Sequence, residues 1–294
     1  MFQNILAATE TPLYCDECVR SALRIAEKEE ARVFILHVLE SDNVMYRNYV
    51  RHFKTGEKIV ADDDYIRAVE GEIDAQCSAV SRMPSNCHVK VKPGVPWEEI
   101  LKFVKRQNID LVLMNARARK SKKERFGSTL GGVIRRERCP ICLVNQFPST
   151  EQLKFKKVMV GLDFSPSCQH ALRFAATLAD AYGATLHLLH VIQNQTESTT
   201  DPSPRDRMEA LSRTIAETIP KELALVEGAK PHLEILSTAR DLDIDLLVMG
   251  SHTKRTGTEW YIGSVVEQVS TRSACPVVVI TDPKAVKRWS EASA

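Results

Sequence analysis

The chain has 294 residues, 44% of them hydrophobic, with 40 Lys plus Arg against 38 Asp plus Glu. That length accommodates two ordinary cores, and the near-balanced charge lacks the electrostatic footprint of a nucleic-acid-binding protein, so a small ligand or a protein partner is the better expectation. The opening residues, Met1 to Ala8, have no basic segment ahead of a long apolar stretch, and no later run approaches the roughly 20 apolar residues that span a bilayer; a soluble, cytoplasmic protein with no membrane contact is expected, its eight cysteines reduced rather than paired.

In chain order, a first apolar strand ends at Thr9-Glu10-Thr11-Pro12, and Leu36-His37-Val38 closes a second strand. Tyr46, Tyr49, Val50 and Phe53 are spaced for a short amphipathic helix, and Ile66, Val69, Ile73, Cys77 and Val80 share one face of a long helix. Ile109 to Met114 is a continuous apolar strand, followed by the basic run Arg117 to Arg125, which reads as a solvated surface. Gly127-Ser128 precedes a helix, Cys139-Pro140 leads into a last strand, and Phe147 to Gln152 has the composition of a linker. Val158 to Leu162 then begins a second series of elements: Ala171, Leu172, Ala175, Leu178 and Ala179 recur at helical spacing, Leu186 to Val191 is a strand, and Met208, Leu211, Ile215 and Ile219 mark a helix.

The two series are copies of one unit. Ile109-Asp110-Leu111-Val112-Leu113-Met114 recurs as Ile244-Asp245-Leu246-Leu247-Val248-Met249 at an offset of 135, while Gly127-Ser128 recurs as Gly263-Ser264 and Cys139-Pro140 as Cys275-Pro276 at 136. Leu36-His37-Val38 pairs with Leu189-His190-Val191 at 153, which places about 18 extra residues inside the first copy. Continuous apolar strands alternating with amphipathic helices predict two tandem doubly wound α/β domains, over residues 1–146 and 154–283.

Open parallel sheets bind ligands outside the carboxyl ends of their strands. In the second copy that edge brings Gly161, Leu162, Asp163 and Ser165 from strand one, Val191 from strand two, and Met249, Gly250, Ser251, His252, Thr253 and Lys254 after the late strand. Gly263, Ser264 and Val265 open the last helix, where free backbone N–H groups favour an anion. Gly250 suits close approach of backbone to a ligand, and Asp163 is placed to accept from a ribose diol.

Leu162-Asp163-Phe164-Ser165 together with Gly250-x2-Thr253-x9-Gly263-Ser264 resembles the universal stress protein family, in which a strand-one Asp and Ser accompany a late G-x2-G-x9-G-[S/T] loop; the closing Cys275-Pro276-Val277-Val278-Val279-Ile280 is similar to that family's final strand. The resemblance covers nearly the whole chain as two domains in series. It implies Rossmann-like domains, each a five-stranded parallel sheet flanked by helices, that bind ATP, ADP or AMP, with Mg²⁺ as a further candidate. It also implies pairing through the last strands, Ile141 to Val144 and Val277 to Ile280, which fusion makes intramolecular, with a homodimer as a further possibility.

Thr253 departs from the family's middle glycine. The first copy departs more, with Asn115-x2-Ala118-x8-Gly127-Ser128 and Pro12 at the strand-one hydroxyl position, so little or no nucleotide is expected there. The favoured function is a non-catalytic, nucleotide-dependent stress-response regulator acting on an unknown protein partner. Two other classes compete. One is a slow ATP-hydrolysing enzyme, for which the chain shows neither a Ser-Gly-Gly-x-Asp-Ser loop nor an H-x-G-H signature. The other is a redox or metal-sensing scaffold using Cys15 and Cys18. A four-thiolate zinc site joining Cys15/Cys18 to Cys139/Cys142 is disfavoured, since a five-residue strand separates the two sheet edges by roughly 17 Å.

Overall fold

The computed structural model describes residues 1–41, 46–80, 83–116, 126–136, 139–145, 155–193, 202–251, 255–256, 259–260 and 262–281. The chain divides into two compact units, one of residues 2–121 and 126–137, the other mainly of residues 138–294.

The first unit contains β1 (Asn4–Thr9), α1 (Glu17–Glu29), β2 (Arg32–Glu40), β3 (Tyr49–Arg51), β4 (Lys58–Val60), α2 (Asp63–Ser78), β5 (Cys87–Gly94), α3 (Pro96–Gln107), β6 (Leu111–Asn115) and α4 (Ser128–Ile134). Its main sheet has the parallel order β6-β1-β2-β5, with Thr9 opposite His37 at the carboxyl edge. Every residue of β1 is buried, as expected of a central strand covered on both faces.

The second unit contains β7 (Ile141–Val144), β8 (Lys157–Leu162), α5 (Pro166–Tyr182), β9 (Thr185–Ile192), α6 (Pro204–Ser212), β10 (Lys221–Glu227), α7 (Pro231–Asp241), β11 (Leu246–Gly250), the short pair β12 (Arg255–Thr256) and β13 (Glu259–Trp260), α8 (Ser264–Arg272) and β14 (Val277–Ile280). Five parallel strands run β10-β9-β8-β11-β14. The doubly wound α/β class is thus realised in both units. Each sequence copy supplies the expected five main-sheet strands. Of the first copy's five, β1, β2, β5 and β6 lie in the first unit, while β7 groups with the second unit and lies antiparallel to β14, Leu143 facing Val277 and Cys142 facing Val278. All four β7 residues are buried, so the strand covers an apolar edge that would otherwise offer unpaired backbone.

Three local expectations are corrected. Tyr49, Val50 and Phe53 belong to a β-hairpin, β3–β4, rather than an amphipathic helix: Gly56 at φ 75° and the His52 ring, which accepts from the Lys54 and Thr55 amides, make the turn. The α6 helix stops at Ser212, leaving Ile215 and Ile219 buried beyond it; Ser212 and Thr214 hydroxyls bond back to the carbonyls of Glu209 and Leu211, and Pro220 cannot continue a helix. Val80 lies past the end of α2 and is exposed, whereas Val69, Ile73 and Cys77 are buried as the spacing predicts.

Local chemistry fixes the two helices that follow the first strands. Ser165 caps α5 by accepting from the Cys168 amide, Pro166 starts it, and Gly183 ends it at φ 58°. Asp16 caps α1 in the same way through the Val19 amide. The predicted apolar stripe of α5, Ala171, Leu172, Ala175, Leu178 and Ala179, is entirely buried.

Candidate functional site

At the carboxyl edge of the second unit a cavity of about 330 Å³ opens between the ends of β8, β9 and β11 and the starts of α7 and α8. Nine of the residues anticipated from the sequence line it: Gly161, Leu162, Asp163, Val191, Met249, Gly250, Gly263, Ser264 and Val265. Asp163 Oδ1 accepts from the Ser165 amide at 3.0 Å, a local turn that fixes the carboxylate at the strand end. Phe164 adopts a left-handed φ of 61° and packs between the His190 ring, 4.4 Å between centroids, and the Arg207 guanidinium, 3.9 Å above its face.

His190 Nδ1 donates to the Leu162 carbonyl at 2.8 Å, tying the two strand ends together. Across the cavity, Gly263 stands at the cap of α8 with no side chain taking up the helix's first amides. A Cβ at Gly263 would meet only Val266 Cγ2, at 3.9 Å, so the approach to those amides is open. A carboxylate acceptor and an anion-favouring helix start therefore face one small apolar chamber, the arrangement needed for a ligand with a ring, hydroxyls and a negatively charged group.

Sequence reasoning overlooked Leu189, His190, Gln193, Pro231, Ile235 and Val266, which also line the cavity. Pro231 and Ile235 sit on α7, where apolar spacing alone cannot separate a core residue from a wall residue.

The glycine of β11 has a packing role beside the one expected. A Cβ at Gly250 would fall 2.5 Å from the Ser167 carbonyl carbon and oxygen and 2.7 Å from the Cys168 nitrogen. Gly250 lets the first turn of α5 pack on the strand end, and it also lines the cavity. Ser165 and Ser251 do not line the cavity: Ser165 is spent on the helix cap, and buried Ser251 gives its amide to the Ile280 carbonyl. His252, Thr253 and Lys254 lie outside the described residues.

The profile of the universal stress protein family matches this chain twice, over residues 1–145 and 154–281. The chain belongs to that family. A universal stress protein of Methanocaldococcus jannaschii is 25% identical over 153 residues, covering 43% of this chain and 94% of the relative. The universal stress protein YxiE of Bacillus subtilis is 30% identical over 146 residues, covering 43% of this chain and 99% of the relative. Over the length of a tandem chain, the crystal structure of a universal stress protein from Archaeoglobus fulgidus has the same fold, with a TM-score of 0.66, 21% identity, and coverage of 95% of this chain and 98% of that one.

Within this family frame the first copy is rebuilt at the same edge. The path from Thr9 to the α1 cap is seven positions long against three from Leu162 to the α5 cap, so Asp16, not Pro12, takes the place of Ser165. Buried Asp16 accepts from Thr9 Oγ1 at 2.8 Å, the Glu10 amide at 3.3 Å, the Val19 amide at 3.2 Å, Cys18 Sγ at 3.0 Å and Asn115 Nδ2 at 3.1 Å. His37 Nδ1 donates to the Thr9 carbonyl at 3.1 Å, repeating the His190 tie. Ala118 and the basic run from Arg117 to Arg125 lie outside the described residues.

The two cysteines of the competing redox or metal-sensing reading, Cys15 and Cys18, have different hydrogen-bond partners. Cys18 is buried against Asp16 and the Ala8 carbonyl, and burial pushes its thiol up. Cys15 instead hydrogen-bonds Cys77, which draws the Cys15 thiol down and pushes that of Cys77 up. Among the described residues no three His, Cys, Asp or Glu side chains are arranged to hold a metal ion, and no helix is long and apolar enough to cross a membrane.

Proposed function

We propose that the second copy, residues 154–283, binds one adenine nucleotide, ATP, ADP or AMP, and that the protein acts as a non-catalytic, stress-responsive regulator through it, with the domain of residues 1–146 in a supporting role. The observation that carries this reading is the pairing of Asp163 with the uncapped start of α8 at Gly263 across one cavity of about 330 Å³. Asp163 takes the ribose hydroxyls, the apolar wall of Val191, Ile235 and Met249 takes the base, and the amides at Gly263, Ser264 and Val265 take phosphate.

Asp163 is the one carboxylate among the described lining residues, so any Mg²⁺ is held chiefly by nucleotide phosphate oxygens, as this ion's reluctance to shed water favours. What supports the regulatory reading is that, among the described lining residues, there is no carboxylate pair and the one imidazole, His190, has its Nδ1 engaged by the Leu162 carbonyl. Pairing through Ile141–Val144 and Val277–Ile280 within one chain, and a homodimer of chains, are part of the same proposal.

Denaturing the gently purified protein and running mass spectrometry identifies any retained nucleotide. Calorimetry with ATP, ADP and AMP then tests the site. Asp163→Ala removes a hydrogen-bonding carboxylate and is expected to weaken binding roughly tenfold to a hundredfold, about 1.5–3 kcal/mol. Gly263→Val puts a branched side chain in the open approach to the α8 amides and is expected to abolish binding, while Gly127→Val in the first copy leaves one nucleotide per chain. Full affinity in Gly263→Val refutes the assignment.

A further inference from the structure

The first copy has lost the glycine loop, yet its cleft is the larger one. A cavity of about 640 Å³ lies at the carboxyl edge of the first unit, against about 330 Å³ in the second. Its frame repeats that of the second copy: Glu10 stands at the strand end where Asp163 stands, Pro96 and Ile100 of α3 take the positions of Pro231 and Ile235, and Thr129 on α4 takes that of Val265.

Two features have no counterpart among the described residues of the second unit. The inserted hairpin β3–β4 supplies a wall, Arg51, His52 and Phe53. That wall is fixed rather than loose: Val50 bridges to Ser41 beyond β2, the Phe53 amide donates to Tyr65 Oη at 3.1 Å, and the His52 and Phe53 rings stack at 5.3 Å. The second feature is charge. Glu40 lines the cleft at the position of Gln193, so among the described lining residues two carboxylates, Glu10 and Glu40, stand beside one cation, Arg51. Carboxylates in a half-enclosed cleft accept hydrogen bonds from hydroxyl or amino groups.

We propose that this cleft is a second small-molecule site, walled by the inserted hairpin and selective for a nucleoside-like ligand, an aromatic ring bearing hydroxyls, that carries no polyphosphate tail. The choice of adenosine as probe rests on the nucleotide reading of the second copy; the cavity, the hairpin wall and the charge do not. The first copy is then specialised rather than empty: the substitutions that remove the phosphate loop leave the base and sugar walls in place and enlarge them.

Matched variants test this. Thr129 and Val265 occupy equivalent, half-buried lining positions, so Thr129→Trp and Val265→Trp each fill one cleft without entering the core. Calorimetric titrations with adenosine and with ATP are run on the full chain, on each variant and on the double variant. Val265→Trp is expected to keep one adenosine site while losing ATP; adding Thr129→Trp removes that adenosine site, and Thr129→Trp alone leaves ATP affinity unchanged. Glu10→Ala, at an exposed lining residue, weakens adenosine binding in the Val265→Trp background at least tenfold. The proposal is overturned if Val265→Trp binds no adenosine, if adenosine affinity there is unmoved by Thr129→Trp, or if the first cleft binds ATP as tightly as adenosine. ATP binding that survives Val265→Trp and disappears in Thr129→Trp refutes both readings, whereas ATP binding to neither single variant nor the full chain refutes only the second-copy assignment.

Discussion

Asn115 Nδ2 donates to Asp16 Oδ2 at 3.1 Å, joining the end of β6 to the cap of α1. The corresponding contact in the second copy has no side chain on the strand at all: Gly250 meets the backbone of Ser167 and Cys168 directly. The two copies thus close the same junction by different means, one by a polar bridge to a buried carboxylate, the other by close packing. Asn115→Gly removes one of the donors to buried Asp16 without supplying close packing. Losing a hydrogen bond to a charged group lowers stability by about 1.5–3 kcal/mol, measured as a fall in the denaturant midpoint of the first unit's transition. An Asn115→Gly chain as stable as the parent shows that the bridge contributes nothing.

Gly250→Ala tests the other half of that comparison. The added methyl group falls against main-chain atoms at 2.5 Å, which cannot swing aside as a flexible side chain does, so α5 or β11 must shift. Overpacking of this kind costs about 1–3 kcal/mol. Gly263→Ala meets nothing closer than 3.9 Å and loses only glycine's N-cap preference over alanine, about 0.5 kcal/mol. Thermal melts without nucleotide separate the two glycines: Gly250→Ala lowers the melting temperature by more than Gly263→Ala does. Equal melting temperatures remove the packing role assigned to Gly250.

Much of this architecture was legible in the residues, and the failures have specific causes. The register of the repeat located β1, β2, β6 and their partners β8, β9 and β11, since buried parallel strands are continuous apolar runs with little competing interpretation. The Tyr46 to Phe53 stripe failed because its helical spacing does not mark one buried face: Tyr46 and Tyr49 are exposed while Val50 is buried, and the turn at Gly56 and the Tyr65 hydroxyl that fixes the hairpin are visible only in three dimensions. Gly250 lines the cavity, and its packing against α5 was not foreseen, because a glycine required by a ligand and one required by a neighbouring helix are identical in sequence. The competing redox reading linked Cys15 to Cys18 through nearness in sequence alone, and the approach of Cys77 from the end of α2 has no local signal there.

Stability is expected to fall on mild acidification. Burial holds the His37 and His187 imidazoles below their ordinary value of 6.5, although Thr9 and Asp16 oppose the shift at His37 and Glu222 opposes it at His187. The unfolded chain therefore takes up protons first as the pH drops below about 6.5, and the native state loses stability through that window, down to the depressed native values. Carboxylates of ordinary acidity stay ionised throughout. Melting temperatures at pH 7.5 and 5.5 should differ, with the lower one at pH 5.5. In the double variant His37→Asn, His187→Gln, which keeps a donor at each position and removes the titration, the difference shrinks. An undiminished difference places the acid sensitivity elsewhere.

Thiol reactivity gives a test in which exposure and acidity oppose each other. Cys15 is 5% exposed, and the hydrogen bond from Cys77 draws its thiol down against the effects of burial and Asp16. Cys87 is more accessible, but burial and Asp74 push its thiol up to about 12. Burial pushes Cys142 to about 12 and Cys275 to about 11. Since the thiolate is the nucleophile, Cys15 is expected to react before Cys87 with a small neutral alkylating agent at pH 8, despite its lower exposure. Peptide mass spectrometry over a time course of iodoacetamide labelling reads the order directly. Cys77→Ala removes the hydrogen bond and should slow the labelling of Cys15 several-fold, whereas Cys18→Ser, whose hydroxyl still donates to Asp16, leaves it unchanged. Labelling of Cys87 ahead of Cys15 in the native chain, or indifference of Cys15 to Cys77→Ala, overturns the assignment of Cys77 as the partner that activates it.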